Sequence, residues 1–279
     1  MFKRTPILPC FCVIINKCMN ETWVKDWNEL IKSVFEGAWQ PELLRYRSHF
    51  AFRGMPDASQ LLDTTLIRLR GKYAEMEGHL LRNFRKYARL SNVEVDSLWN
   101  WLSLAKHHGL PTRLLDWSFS PLVALHFATS KIQKFHMDGV IWMVDYTQVH
   151  QCVPEVLRRH LDEEGADVFT VEMLRAEADT LKDFDALSGE EYALFFEPPS
   201  MDERIVNQFA LFSLMSAPRG LLNEWLEHRP QMFRKIMIPS ALKWEIRDKL
   251  DQLNITERVL FPGLDGLSAW LQRQYTQRD

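Results

Sequence analysis

A chain of 279 residues that is 46% hydrophobic and 25% charged has enough apolar material for a substantial core and lies between the usual sizes of one and two domains. Its 34 basic and 37 acidic residues give a formal net charge of −3. This balance argues against broad capture of nucleic acid, although it does not exclude a local basic patch. No stretch approaches the roughly 20 apolar residues of a membrane span, and no contact with a membrane is expected.

The N-terminal segment 1–18 contains three of the four cysteines but lacks the paired His or Cys partners of a zinc site. Neither a disulfide framework nor a metal site is predicted, and a reducing cytoplasm is the expected location. The apolar run in this segment is too short for a secretory signal. Because Met19 resembles a natural start, we expect residues 1–18 to be dispensable, so that a chain beginning at Met19 keeps its thermal midpoint.

Residues 19–279 contain neither repeats nor a linker rich in Gly, Ser or Pro, and predict a single domain. Apolar residues at helical spacing predict an amphipathic helix over 23–36. Alternation in 46–53 predicts a strand with its aromatic residues on one face and Arg53 on the other. Gly54 then allows the backbone to turn or to approach a ligand closely.

The Ser120-Pro121 pair is a strong helix start, because the hydroxyl suits an N-cap and the missing proline N–H has no cost in the first turn. The region 153–190 is charged and helix-prone. Separated strands and helices without βαβ alternation favour an α+β fold over a doubly wound sheet. The other predicted helices are 74–90, 97–107, 121–131, 221–228 and 240–253, and the other predicted strands are 139–146, 209–214 and 235–238.

Two stretches carry more polar residues with special geometry than core packing requires. The first is Phe52-Arg53-Gly54, and the second runs over 106–128 as KHHGLPTRLLDWSFSPLVALHFA. Together they resemble the motifs of the FRG-domain family, which is named for its Phe/Tyr-Arg-Gly signature and is found mostly in bacterial and phage proteins. The resemblance continues through 202–212, 235–239 and 260–267, and covers most of residues 23–275.

The second stretch is also similar to a segment of the arginine-serine-glutamate ADP-ribosyltransferases, in which a Ser-Thr-Ser strand end leads into a helix. This resemblance implies small antiparallel or mixed sheets flanked by helices, with helical insertions. It also implies that Arg53 and Gly54 hold the phosphate and ribose side of NAD, while Trp117 and Ser118 support the nicotinamide pocket. A planar guanidinium suits a pyrophosphate, and an aromatic wall suits a flat ring. Asp116 replaces the first serine and is expected to orient Arg53.

The same transferases carry a catalytic glutamate on a later strand, and the resemblance leaves that role open between Glu203 and Gln208. One alignment places Arg204 there, while the FRG pattern favours Arg204 and Gln208 facing a shared site. One of His107 and His108 is a candidate proton carrier or donor, with His107 the one assigned to the site, and Thr112 is a candidate phosphate contact. A structural histidine and a turn hydroxyl are the competing interpretations of the histidine and of Thr112. Arg53 and Asp116 likewise have a structural alternative, as a pair that stabilises the loop.

The resemblance implies an FRG-domain protein that uses NAD as a substrate, without a metal, in bacterial or phage defence or as a toxin. Its activity would be that of an ADP-ribosyltransferase acting on a macromolecular target, or of an NAD glycohydrolase. The alternative is a non-catalytic module that captures a nucleotide or a protein terminus. No Walker A loop, Gly-x-Gly-x-x-Gly, His-Glu-x-x-His or Gly-x-Ser-x-Gly motif is present. The residues do not indicate the target or the oligomeric state.

Overall fold

The computed structural model of the chain describes residues 20–88 and 96–277. Within them, nine strands and thirteen α-helices form an α+β fold, which confirms the predicted class. The segment 1–18, predicted to be dispensable, lies outside the described residues, as does the end of the helix predicted over 74–90. None of the helices in the described part is both long and apolar enough to cross a bilayer.

The strands form one large mixed sheet and a separate hairpin, where small sheets were expected. They are β1 Glu21–Trp23, β2 Trp39–Gln40, β3 Arg45–Tyr46, β4 Phe50–Met55, β5 Leu115–Ser118, β6 Gly139–Asp145, β7 Ala193–Phe196, β8 Ala210–Met215 and β9 Phe233–Ile238. The seven-stranded sheet has the order β1-β9-β6-β4-β5-β8-β7, and β2 pairs with β3. Strand β1 runs parallel to β9, and the other neighbouring pairs are antiparallel.

The helices begin where local capping residues allow. They are α1 Trp27–Val34, α2 Tyr73–Tyr87, α3 Leu98–His107, α4 Pro121–Ala128, α5 Tyr146–His150, α6 Glu155–Glu164, α7 Val171–Glu177, α8 Leu181–Asp185, α9 Glu203–Asn207, α10 Leu222–Glu227, α11 Lys243–Gln252, α12 Glu257–Leu260 and α13 Leu264–Gln274. The helix predicted from residue 23 starts later, because the Asp26 carboxylate accepts the Glu29 N–H and caps α1. Trp23 instead ends the edge strand β1.

Two groups of helices cover one face of the sheet and leave a gap between them. In register, Phe52 faces Ser118 and Asp116 faces Phe212, so these four side chains share that face. Phe52 belongs to the core cluster under α1, α4 and α11. Phe212 belongs to the cluster under α3, α6 and α7. Asp116 and Ser118 therefore lie on the sheet between the two helix groups.

The opposite face buries a second apolar layer against α5 and α10, with Trp117, Trp142 and Phe195 among its members. Strand β7, all of whose side chains are buried, was not predicted. A four-residue apolar run gives no periodicity with which to tell a strand from a buried helix.

Candidate functional site

A cavity of about 610 Å³ opens in the gap between α3 and α4, with α9 as a further wall. Its size is in the range usual for small-molecule sites. The predicted site residues that line it are Arg53, Gly54, His107, Asp116, Trp117, Ser118, Arg204 and Gln208. His108, the other imidazole considered as a proton carrier, lines it as well, as do Lys106, Phe127 and Phe212, which were not predicted.

Asp116 is held between two cations on the floor of the cavity. Its Oδ2 lies 2.7 Å from Lys106 Nζ and 3.8 Å from Arg53 Nη1. The same Arg53 nitrogen donates to the Asp116 carbonyl oxygen at 2.5 Å. Strands β4 and β5 pair only at Phe52 and Ser118, and the guanidinium of Arg53 reaches Asp116 beyond the end of that pairing. The predicted contact between Arg53 and Asp116 is therefore present, and Lys106 completes it.

Both members of the Arg53–Asp116 pair are charged near neutral pH. Burial lowers the pKa of Arg53, and the nearby Asp116 carboxylate opposes that effect. Burial by itself would raise the pKa of Asp116, but Lys106 and then Arg53 hold it below its ordinary value. The Asp116 side chain is 57% exposed, whereas that of Lys106 is only 9% exposed. The carboxylate thus faces the cavity, and the ammonium lies behind it.

Helix α9 is fixed over the cavity by a contact with the end of α3. Asp202 caps α9, since its Oδ1 accepts the Ile205 N–H at 3.0 Å, and its Oδ2 lies 2.5 Å from His107 Nε2. Burial lowers the pKa of His107 more than Asp202 raises it. Arg204 of α9 lies over the Phe261 ring at 4.9 Å, and in the described part of the chain no carboxylate lies within 4.0 Å of its guanidinium. Its charge is therefore available to a ligand.

The Ser118 hydroxyl has a structural role although it borders the cavity. Its Oγ donates to the Gln208 carbonyl at 2.7 Å and accepts the Ser120 N–H at 2.9 Å. The Gln208 side chain donates to the Leu260 carbonyl at 2.8 Å. These bonds join the end of β5 to the end of α9 and shape the cavity wall.

Thr112 and Glu203 lie outside the cavity, in contrast to the prediction. Thr112 is 1% exposed, and its N–H donates to Thr65 Oγ1, so it fixes a buried turn and has no access to a phosphate. Glu203 is exposed on the first turn of α9, a helix where the transferase resemblance implied a strand. The cap provided by Asp202 starts a helix there and directs Glu203 outward.

Lys106 is the functional candidate that sequence reasoning missed. Helix α3 is buried from Trp99 to Ala105, and Lys106 is the first cation after that run. A charged residue directly after an apolar helix stretch is a signal for a buried partner, because an unpaired ammonium there is costly. The signal does not identify Asp116, whose position depends on the packing of α3 against the sheet.

Comparison with known protein families identifies a domain in the part of the chain that carries most of the residues lining the cavity. Residues 48–137 match the model of the FRG domain. The chain therefore contains an FRG domain. The match spans β4, α3, β5 and α4, which carry Arg53, Lys106 and Asp116. Neither the curated proteins nor the solved structures contain a match to this chain.

Each residue of the FRG signature has a distinct physical task. Phe52 is 1% exposed in the core under α4, and Arg53 reaches the cavity. A Cβ on Gly54 would lie 1.7 Å from the Ala124 carbonyl oxygen, so the glycine allows α4 to lie directly on β4. The close approach expected at Gly54 is thus to a helix of the FRG domain itself.

Trp117 belongs to the core of this FRG domain. It is 4% exposed, and its indole N–H donates to Ser213 Oγ at 2.7 Å. Its ring meets Phe195 edge-on at 5.3 Å on the face opposite Asp116. The ring therefore does not provide the aromatic wall that was predicted for a ligand.

Proposed function

We propose that this FRG-domain protein binds NAD or a related nucleotide in the cavity and acts as an ADP-ribosyltransferase-like enzyme. The observation that carries the proposal is the convergence of three cations, Arg53, Lys106 and Arg204, on one cavity. Among the lining residues of the described chain, Asp116 is the single carboxylate. An excess of positive charge in a partly enclosed site favours a ligand with a phosphate or pyrophosphate.

The cavity also has an apolar side that suits a flat ring. Phe127 of α4, Ile205 of α9 and Phe212 of β8 line it together. Aromatic side chains offer ring faces and edges on which a nicotinamide or a base can pack. A cationic side and an apolar side in one cavity match the two chemical parts of NAD. The transferase-like fold itself rests on the sequence resemblance.

The proposed reaction breaks the bond between C1′ of the ribose and the pyridinium nitrogen. The bonding electrons go to the nicotinamide, which leaves as a neutral molecule, and the sugar acquires oxocarbenium character. Water or a side chain of a macromolecular target then bonds to C1′ and releases its proton. Asp116 is the carboxylate in place to stabilise the positive charge. Gln208 lines the same cavity, while Glu203 does not.

The second candidate is a module that captures the nucleotide without turnover. One observation favours it: the Asp116 carboxylate is already paired with Lys106 at 2.7 Å. A neutralised carboxylate stabilises an oxocarbenium ion less than a free one does. Release of nicotinamide separates the two candidates, because a capture module binds NAD and leaves it intact.

The test is the Arg53→Ala variant, with Arg234→Ala as the matched control. Arg234 lies on β9, is 44% exposed and does not line the cavity. Calorimetry should show that Arg53→Ala no longer binds NAD, whereas Arg234→Ala binds like the wild type, because of these two arginines only Arg53 lines the cavity. Retained binding in Arg53→Ala, or no binding by the wild type, refutes the proposal.

Chromatography of nicotinamide then assigns the catalytic step. Asp116→Asn should lose turnover, while Glu203→Gln should keep it because Glu203 lies outside the cavity. Loss in Gln208→Ala alone moves the role to Gln208. Binding without nicotinamide release by the wild type, even with cell lysate as a source of targets, establishes the capture module.

The proposed setting is bacterial or phage defence, or a toxin, in the cytoplasm where the NAD pool resides. Expression of the wild type in a bacterial host should lower cellular NAD and slow growth. The Arg53→Ala variant should do neither. Equal NAD levels in the cultures that express the wild type and the Arg53→Ala variant count against a role in defence or as a toxin. The binding of NAD is then tested by calorimetry alone.

A further inference from the structure

We propose that Asp116 selects ligands with a sugar hydroxyl beside the phosphate, so that the cavity prefers ribonucleotides to their deoxy analogues, and that Lys106 is the positioning residue for this selection. The inference rests on the proposed function, because it requires a nucleotide in the cavity. The two oxygens of the Asp116 carboxylate differ in the contacts they make.

Only one oxygen of the Asp116 carboxylate is committed to the protein. Oδ2 faces both Lys106 Nζ and Arg53 Nη1. Oδ1 has no hydrogen bond to any described residue, and the Asp116 side chain is 57% exposed. An ionised carboxylate only accepts hydrogen bonds, and each of its oxygens has two acceptor sites. Oδ1 is therefore an open acceptor in the cavity.

The chemistry around Oδ1 restricts which group of a ligand can meet it. A phosphate has no donor at neutral pH and is repelled by the carboxylate, so it lies against the guanidinium groups of Arg53 and Arg204, which line the cavity. The group that meets Oδ1 must be a donor a few ångströms from that phosphate. In a nucleotide the ribose hydroxyls satisfy this condition, whereas the amino groups of the base lie farther away. A 2′-deoxy sugar lacks the hydroxyl by which a ribonucleotide differs from its deoxy analogue, and with it one of the two donors that can meet Oδ1.

Lys106 acts on the ligand through Asp116. Its side chain is 9% exposed and reaches Oδ2 from behind, at the last turn of α3. Without this ammonium, the carboxylate is free to rotate towards Arg53, and both oxygens then face the guanidinium. The hydroxyl acceptor is lost even though Asp116 is still present. This coupling distinguishes Lys106 from a lysine that merely adds positive charge.

The experiment measures affinities of the full chain for NAD and for two analogues, 2′-deoxy in the adenosine half or in the nicotinamide riboside half. The wild type should bind at least one analogue about tenfold or more weakly than NAD, the loss expected for a hydrogen bond to a charged acceptor. Asp116→Ala should bring the ratio of the analogue's Kd to the Kd of NAD close to one. Lys106→Met should also lower the ratio, and Lys106→Arg should restore part of it.

The control is Lys249→Met, which removes a lysine paired with a carboxylate, 2.6 Å from Glu245 on α11, that does not line the cavity. It should keep the ratio of the wild type. Thermal midpoints show that each variant is folded. Equal binding of NAD and both analogues by the wild type overturns this inference but leaves the proposed function standing. No binding of NAD at all overturns both, and an unchanged ratio in Lys106→Met overturns the role of Lys106.

Discussion

Replacing Gly54 by alanine tests why the FRG signature ends in glycine. A Cβ at this position would lie 1.7 Å from Ala124 O and 2.8 Å from Ala128 N, which are backbone atoms of α4. Contacts of a Cβ do not fall below 3.0 Å, so α4 has to move away from β4 by about 1.3 Å. A backbone cannot rotate aside as a flexible side chain can. The movement also displaces Phe127, which lines the cavity.

The expected loss is at the upper end of the range for overpacked cores, about 3 kcal/mol in the free energy of unfolding. For a chain of this size, that loss lowers the thermal midpoint by about 6–12 °C. Urea denaturation followed by circular dichroism measures the first quantity, and a thermal melt measures the second. The matched control is Gly78→Ala in α2, where a Cβ meets no atom within 4 Å. In a helix interior this change should raise the stability by about 0.5–1 kcal/mol.

The same substitution is thus expected to have opposite effects at two glycines. A loss below about 1 kcal/mol in Gly54→Ala would refute the argument, because it would mean that α4 shifts at little cost. A similar effect at Gly54 and Gly78 would refute it too. Reduced NAD affinity in a folded Gly54→Ala protein would show that the position of α4 shapes the cavity.

Two further predictions concern stability. Ser120→Ala removes the hydroxyl that accepts an N–H in the first turn of α4, and should cost about 1 kcal/mol in urea denaturation; an unchanged midpoint contradicts this cap. Burial lowers the pKa of His126 to about 3 and that of His150 to about 4, from an ordinary value of 6.5. Below pH 6.5 the unfolded chain therefore binds protons that the folded chain does not, and the free energy of unfolding falls as the pH drops from 6.5 towards 4. Each imidazole contributes up to about 1.4 kcal/mol per pH unit, a slope that His150→Gln should reduce; a flat profile between pH 6.5 and about 5 contradicts the prediction.

Local signals in the sequence were sufficient for much of the secondary structure. The Ser120-Pro121 pair predicted the start of α4 at Pro121, where the structure begins it. Ser97 likewise caps α3 at the expected place. Capping and hydrophobic periodicity depend on residues a few positions apart, so both can be recognised from the sequence without knowledge of the tertiary structure. Asp26 also caps a helix, α1. The predicted start was placed before this cap, at residue 23, because Trp23 fits the apolar spacing of the helix.

Which residues share the cavity was decided by contacts between distant parts of the chain. Motif resemblance predicted that Arg53 and Asp116 lie together, and the structure adds Lys106 at the end of α3, 2.7 Å from Asp116. Glu203 is an exception, because a local cap by Asp202 starts α9 there and leaves Glu203 exposed outside the cavity. Strand register places Trp117 on the face opposite Asp116.

The sequence by itself determined the residue types that the site requires: a guanidinium, a carboxylate, a hydroxyl and a glycine at motif positions. Only the tertiary structure decided their tasks. Gly54 serves helix packing and the Ser118 hydroxyl joins two elements, while Asp116 and Arg204 keep polar groups open to a ligand. The physical reason is that a side chain's function depends on which neighbours already satisfy it, and those neighbours lie up to 90 residues away along the chain, as they do for Ser118.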